Sequence, residues 1–92
     1  MPIGASFDDF LQEEGIKEEV ELKAMKEVLS WKMQQAMKEQ NLSKSDVAKT
    51  MQTSRSVVER VLDPENLSIS LKTAVKAANA CGLHLHLQVS AS

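Results

Sequence analysis

The sequence predicts a mainly α domain of about five helices, with a helical arm at the N-terminus and one β-strand at the C-terminus. Three observations carry that prediction. Residues 17–40 contain neither Gly nor Pro and are dominated by Ala, Leu, Met, Glu, Lys and Gln, all good helix formers. Two short amphipathic segments, Lys44 to Met51 and Arg55 to Leu62, are separated by only Gln52-Thr53-Ser54. Leu83 to Val89 then alternates strictly between apolar and polar residues, which is the period of a strand.

The elements follow in order. Met1-Pro2-Ile3-Gly4 has turn formers and no periodicity, so a loose end is expected there. Ser6 is a candidate cap for a short helix over residues 6–14, with Phe7, Phe10 and Leu11 at helical spacing, and Gly15 is expected to end or bend it. In the long helix, Leu22, Met25, Leu29, Met33, Ala36 and Met37 form an apolar stripe suited to a core. Val20, Ala24, Val28 and Trp31 form a second stripe nearly opposite. One small core cannot cover both, so Val28 and Trp31 mark a face to be covered by the folded-back arm, a second copy or a partner.

Ser43 is a candidate N-cap for the next helix, with Asp46 three residues later. Ser54 is the candidate cap of the helix after it, which Asp63-Pro64 stops. Val47, Ala48 and Met51 on the first can bury against Val58, Val61 and Leu62 on the second. Two short helices joined so tightly must cross steeply, which is a helix-turn-helix. Ser70 is the expected cap of a last helix running to about Cys81, with Leu71, Ala74, Val75 and Ala78 inward and Gly82 at its left-handed stop.

Size and charge bound the function. A chain of 92 residues, 42% hydrophobic, is read as a single compact unit. It divides into the arm (1–16), the helical domain (17–82) and the strand (83–89). Cys81 is the only cysteine, so no intrachain disulfide can form; with no secretory or membrane pattern, a cytoplasmic location is expected. The net charge is −2, but residues 1–40 hold five Lys against nine acids while residues 41–92 hold six Lys or Arg against four. The second half is modestly basic, as a surface facing phosphates should be.

The helix-turn-helix points to DNA, because its second helix fits the major groove with its first residues at base edges. Arg55 can donate to guanine, Ser56 can bond a base or a phosphate, and Glu59 can accept from cytosine. Lys44, Thr53, Ser54 and Arg60 complete the candidate DNA-binding set, and Lys49 is a further phosphate contact. A lone strand leaves its backbone groups unpaired. Leu83, Leu85, Leu87 and Val89 therefore mark a dimerisation edge, with pairing to a partner's sheet as the alternative. His84 and His86 share the other face, too few ligands for a structural metal site, so neither metal nor cofactor is expected. Nothing suggests an enzyme: there is no phosphate-cradling loop and no catalytic constellation.

The stretch LSKSDVAKTMQTSRSVVERVL resembles the Xre/Cro-type helix-turn-helix family, to which the phage lambda repressor is related. The front SFDDFLQEEGIKEEVELKAMKEVLSW and the ending SLKTAVKAANACGLHLHLQV resemble the HigA-type antitoxins encoded beside RelE-like toxins. This resemblance implies a lambda-repressor-like fold and a dimeric repressor that binds operator DNA, regulates its own operon and neutralises a basic ribonuclease toxin. It also marks a departure: the family carries Gly in the turn after the first helix of the motif, and here that position is Gln52.

Overall fold

The computed structural model describes residues 7–91, with side chains from residue 17 onward. Four helices are found: α1 (Phe7–Gln40), α2 (Lys44–Met51), α3 (Arg55–Leu62) and α4 (Leu71–Ala80). The expected loose end and the Ser6 cap lie outside the described residues.

The count is four rather than about five because the arm and the long helix are one element of 34 residues. Gly15 does not break it. A single glycine costs a helix interior only about 1 kcal/mol, and strong helix formers continue on both sides. The run spans roughly 50 Å at the α-helical rise and accounts for the longest dimension of the molecule, 54 Å. This continuity overturns the fold-back of the arm onto Val28 and Trp31, since position 7 lies roughly 30 Å along the axis from position 28.

Among the described side chains of α1, those from Lys23 onward meet the rest of the chain. Met33, Ala36 and Met37 are buried, with Leu29 partly so, while Leu22 and Met25 are half or more exposed although they continue the same stripe. The stripe outruns the domain it was expected to cover. Against it pack Val47, Ala48 and Met51 of α2, Val58, Val61 and Leu62 of α3, and Ala77 and Cys81 at the end of α4. The six α2 and α3 positions are those expected from the sequence. On α4 the inward face is Ala74, Ala77, Ala78 and Cys81, whereas Leu71 and Val75 are exposed. The helix is rotated so that its alanines, not its branched residues, make the close approach.

Three helices end alike. After α1, α2 and α4 the chain turns through a left-handed residue: Asn41 at φ 54°, Gln52 at φ 57° and Gly82 at φ 77°. In each the next amide reaches back five residues, Leu42 to Met37, Thr53 to Ala48 and Leu83 to Ala78, at 2.8–2.9 Å. This satisfies carbonyls that a helix end otherwise orphans. Gln40 Nε2 also donates to the Cys81 carbonyl at 2.7 Å, tying the end of α1 to the end of α4.

Beyond Leu83, which packs on the core, residues 84–91 form no regular element. The expected strand is therefore absent among the described residues. A strand exists only as part of a ladder, and the described residues offer its backbone no partner. Leu85, Leu87 and Val89 are left exposed.

Candidate nucleic-acid interface

The start of α2 is set by a reciprocal cap. The Asp46 amide donates to Ser43 Oγ at 3.1 Å, and the Ser43 amide donates to Asp46 Oδ2 at 2.8 Å. Those bonds, assisted by Lys49, hold the Asp46 carboxyl below its ordinary range. Lys44 follows the cap as the first helical residue, so its stem is fixed where the helix begins. At the other end Gln52 takes up the left-handed conformation, with φ 57° and ψ 48°. The chain then needs only Thr53 and Ser54 before α3 starts.

Ser54 stands at the N-cap position in an extended conformation, but its side chain caps nothing. Its hydroxyl lies 2.9 Å from the Ser56 hydroxyl instead. The expected cap is thus corrected: two neighbouring hydroxyls satisfy each other, and the first amides of α3 gain no side-chain acceptor. The front of α3 is left as a cluster of donors at the positive end of a helix.

Along α3, Val58, Val61 and Leu62 turn inward while Arg55, Ser56, Glu59 and Arg60 are exposed. Glu59 Oε2 lies 3.7 Å from both Lys44 Nζ and Arg55 Nε. The structure therefore gathers Lys44, Arg55 and Glu59 into one charged group, with Ser54 and Ser56 beside it. Thr53 is exposed in the turn, and Arg60 lies further along the outer face of α3. All three ion-paired side chains are substantially solvated, so the pairs hold orientation only loosely. A cleft beside them is lined by Gln34, Met37, Lys38, Leu42, Leu62 and Asp63 together with Lys44 and Glu59.

The back of α3 is held quite differently, by residues that the sequence reading did not single out. Lys26 is only 5% exposed, and its ammonium donates to the carbonyls of Arg60, Asp63 and Asn66 at 2.9, 2.6 and 2.7 Å. One turn on, the buried Ser30 hydroxyl donates to the Val61 carbonyl at 3.1 Å, and Gln34 Nε2 reaches the Leu62 carbonyl at 3.3 Å. Burial pushes the Lys26 ammonium down from its ordinary range, with the Asp63 carboxylate opposing. The signal was present in the sequence as Lys26, Ser30 and Gln34, four residues apart beside Met33 and Met37. Lysine is so seldom buried that it reads as surface.

The remaining candidate residues lie elsewhere. Val28 and Trp31 are 58% and 54% exposed, with Val20 on the same stripe at 60%, and Lys32 Nζ sits 5.6 Å from the Trp31 ring. Nothing among the described residues covers this face. Of the expected dimerisation edge, Leu83 packs on the core, and Leu85, Leu87 and Val89 stand in solvent without a ladder. Cys81 is buried, and burial raises its thiol, as suits a packed side chain. No helix among the described residues is long and apolar enough to cross a membrane. No protein-family model, curated protein or solved structure matches the chain.

Proposed function

We propose that this chain is a sequence-specific DNA-binding repressor that acts as the antitoxin of a type II toxin–antitoxin operon. The observation that carries the DNA half is the pairing of α2 and α3 across the left-handed Gln52 turn, with Arg55, Ser56, Glu59 and Arg60 on the open face of the second helix. Helices so paired present a short, rigid reading edge to the major groove. In this reading Arg55 and Ser56 address base edges. Lys44, Thr53, Ser54 and Arg60 take phosphates, and Glu59 either accepts from a base or orients Arg55.

The antitoxin half rests on the resemblance to HigA-type proteins, on the acidic front of the chain and on the uncovered Val28 and Trp31 face. A small basic ribonuclease of the RelE type is the complementary partner. The exposed tail then pairs with a second copy or with that partner's sheet, either of which would complete the missing ladder. A repressor without a toxin shares the DNA half and lacks the other.

Replacing Arg55 with Ala tests the DNA half. Affinity for the preferred duplex should fall about ten- to a hundredfold at fixed salt, and preference at the base it reads should relax. Unchanged affinity removes α3 as the reading element. Co-expression with the product of the neighbouring gene tests the antitoxin half, which fails if no small basic protein is encoded there or none co-purifies.

A further inference from the structure

We propose that Lys26 is the positioning residue of this reading surface: by gathering the carbonyls at the back of α3 it sets the angle at which the front of α3 is offered to DNA. The inference rests on the DNA-binding reading and names what aims that site.

The argument begins with what α3 lacks. It is eight residues long, about two turns, too short to be stable alone. Its front end has no side-chain cap, because Ser54 and Ser56 bond each other. Its apolar face is Val58, Val61 and Leu62, with Val57 partly buried beside them. Apolar packing holds the helix on the core, and the hydrogen bonds from α1 that fix its rotation and tilt all lie at its C-terminal end.

There, one ammonium meets three carbonyls. A lysine has three donor protons, and Arg60, Asp63 and Asn66 supply three acceptors between 2.6 and 2.9 Å. Two of those carbonyls belong to the end of the helix and the third to the turn that follows, so Lys26 fixes both the helix axis and the exit of the chain. The turn is braced in its own right: the Glu65 amide donates to Asp63 Oδ1, and the Asn66 amide to the Asp63 carbonyl. A positive charge at a helix C-terminus also complements its dipole. Ser30 and Gln34 extend the attachment to Val61 and Leu62, so a single polar row on α1 holds four consecutive carbonyls of α3 and its cap, then that of Asn66.

The test uses the full chain and the duplex that the wild-type protein enriches from a random-sequence pool, with a scrambled duplex of equal length as the non-specific control. Lys26→Met keeps the stem and removes every donor. Ser30→Ala and Gln34→Ala each release one carbonyl. Gln40→Ala removes the bond to the Cys81 carbonyl, and so weakens the fold without touching α3. The preference for the enriched duplex over the scrambled one should fall at least about tenfold in Lys26→Met and about two- to fivefold in Ser30→Ala and Gln34→Ala. It should hold in Gln40→Ala, and binding to the scrambled duplex, set by phosphates, should stay level in all four.

Amide hydrogen exchange supplies the second readout, with faster exchange expected from Arg60 to Asn66 in Lys26→Met and no change in α2. Unchanged exchange there overturns the attachment itself. Faster exchange with a preference no lower than that of Gln40→Ala overturns the positioning role. Should Lys26→Met fail to fold, the Ser30→Ala and Gln34→Ala pair decides the matter against Gln40→Ala. If the wild-type chain enriches no sequence, the DNA reading fails and the positioning role falls with it, while the exchange experiment still reports whether Lys26 pins α3.

Discussion

Gln52 holds a backbone conformation that costs a side chain with a Cβ about 1 kcal/mol. The residue is tolerated because its amide donates to Lys49 at 3.1 Å and the next amide reaches Ala48 at 2.9 Å, so the strained turn ends α2 and opens the path to α3. Gln52→Gly should relieve that strain. We expect stabilisation of about 1 kcal/mol, or roughly 4–8 °C in Tm for a chain of this size, read by thermal unfolding. An unchanged or lowered Tm would mean that the Gln side chain contributes something the glycine loses. The left-handed turn was implied by the resemblance, whose family carries Gly there, while the three-residue gap alone announces only a tight turn. Lys26 illustrates the opposite case, since its role depends on carbonyls 34 to 40 residues away that no local pattern announces.

Among the elements, α2 and α3 were the most legible, because the Ser43 cap, their apolar positions and their short linker all point one way. The Ser54 cap was misread for a physical reason: a serine at N-cap has a competing acceptor when another serine stands two residues on, as Ser56 does at 2.9 Å. That competition leads to an expectation with two opposite signs. Ser54→Asp places a fixed acceptor and a negative charge at the front of α3, which should raise stability by about 0.5–1 kcal/mol. The same charge faces phosphates in the DNA-binding reading, so affinity for any duplex should fall. Stability by denaturant titration and affinity at one salt concentration would show both, and tighter DNA binding would place the phosphates elsewhere. The extents of α1 and of the tail were less legible. Gly15 looked like a boundary because glycine is a poor helix former, yet one weak residue cannot stop 34. The alternation of residues 83–89 was real, but a strand needs a second strand that the described residues do not supply.

Viewed whole, the chain is a compact helical unit with one half of α1 extending from it. The inward stripe was read correctly from Leu29 onward and incorrectly at Leu22 and Met25, because periodicity shows which face is apolar and not how far the opposing core reaches. The Trp31 stripe was set apart on the same grounds, and its exposure makes it observable. In dilute protein Trp31 fluorescence should show the red-shifted emission of a solvated indole and ready quenching by acrylamide. Self-association through this face would move the emission to the blue as concentration rises. A blue-shifted spectrum that does not depend on concentration would mean that the chain itself covers the indole.

The unbroken course of α1 has a mechanical consequence. Its far end lies on the same continuous helix whose Lys26, Ser30 and Gln34 hold the back of α3, so in the DNA-binding reading α1 is a lever with its fulcrum at α3. A load applied near the tip acts at a distance of tens of ångströms. It would reach the front of α3 as torque, without touching that end of the helix.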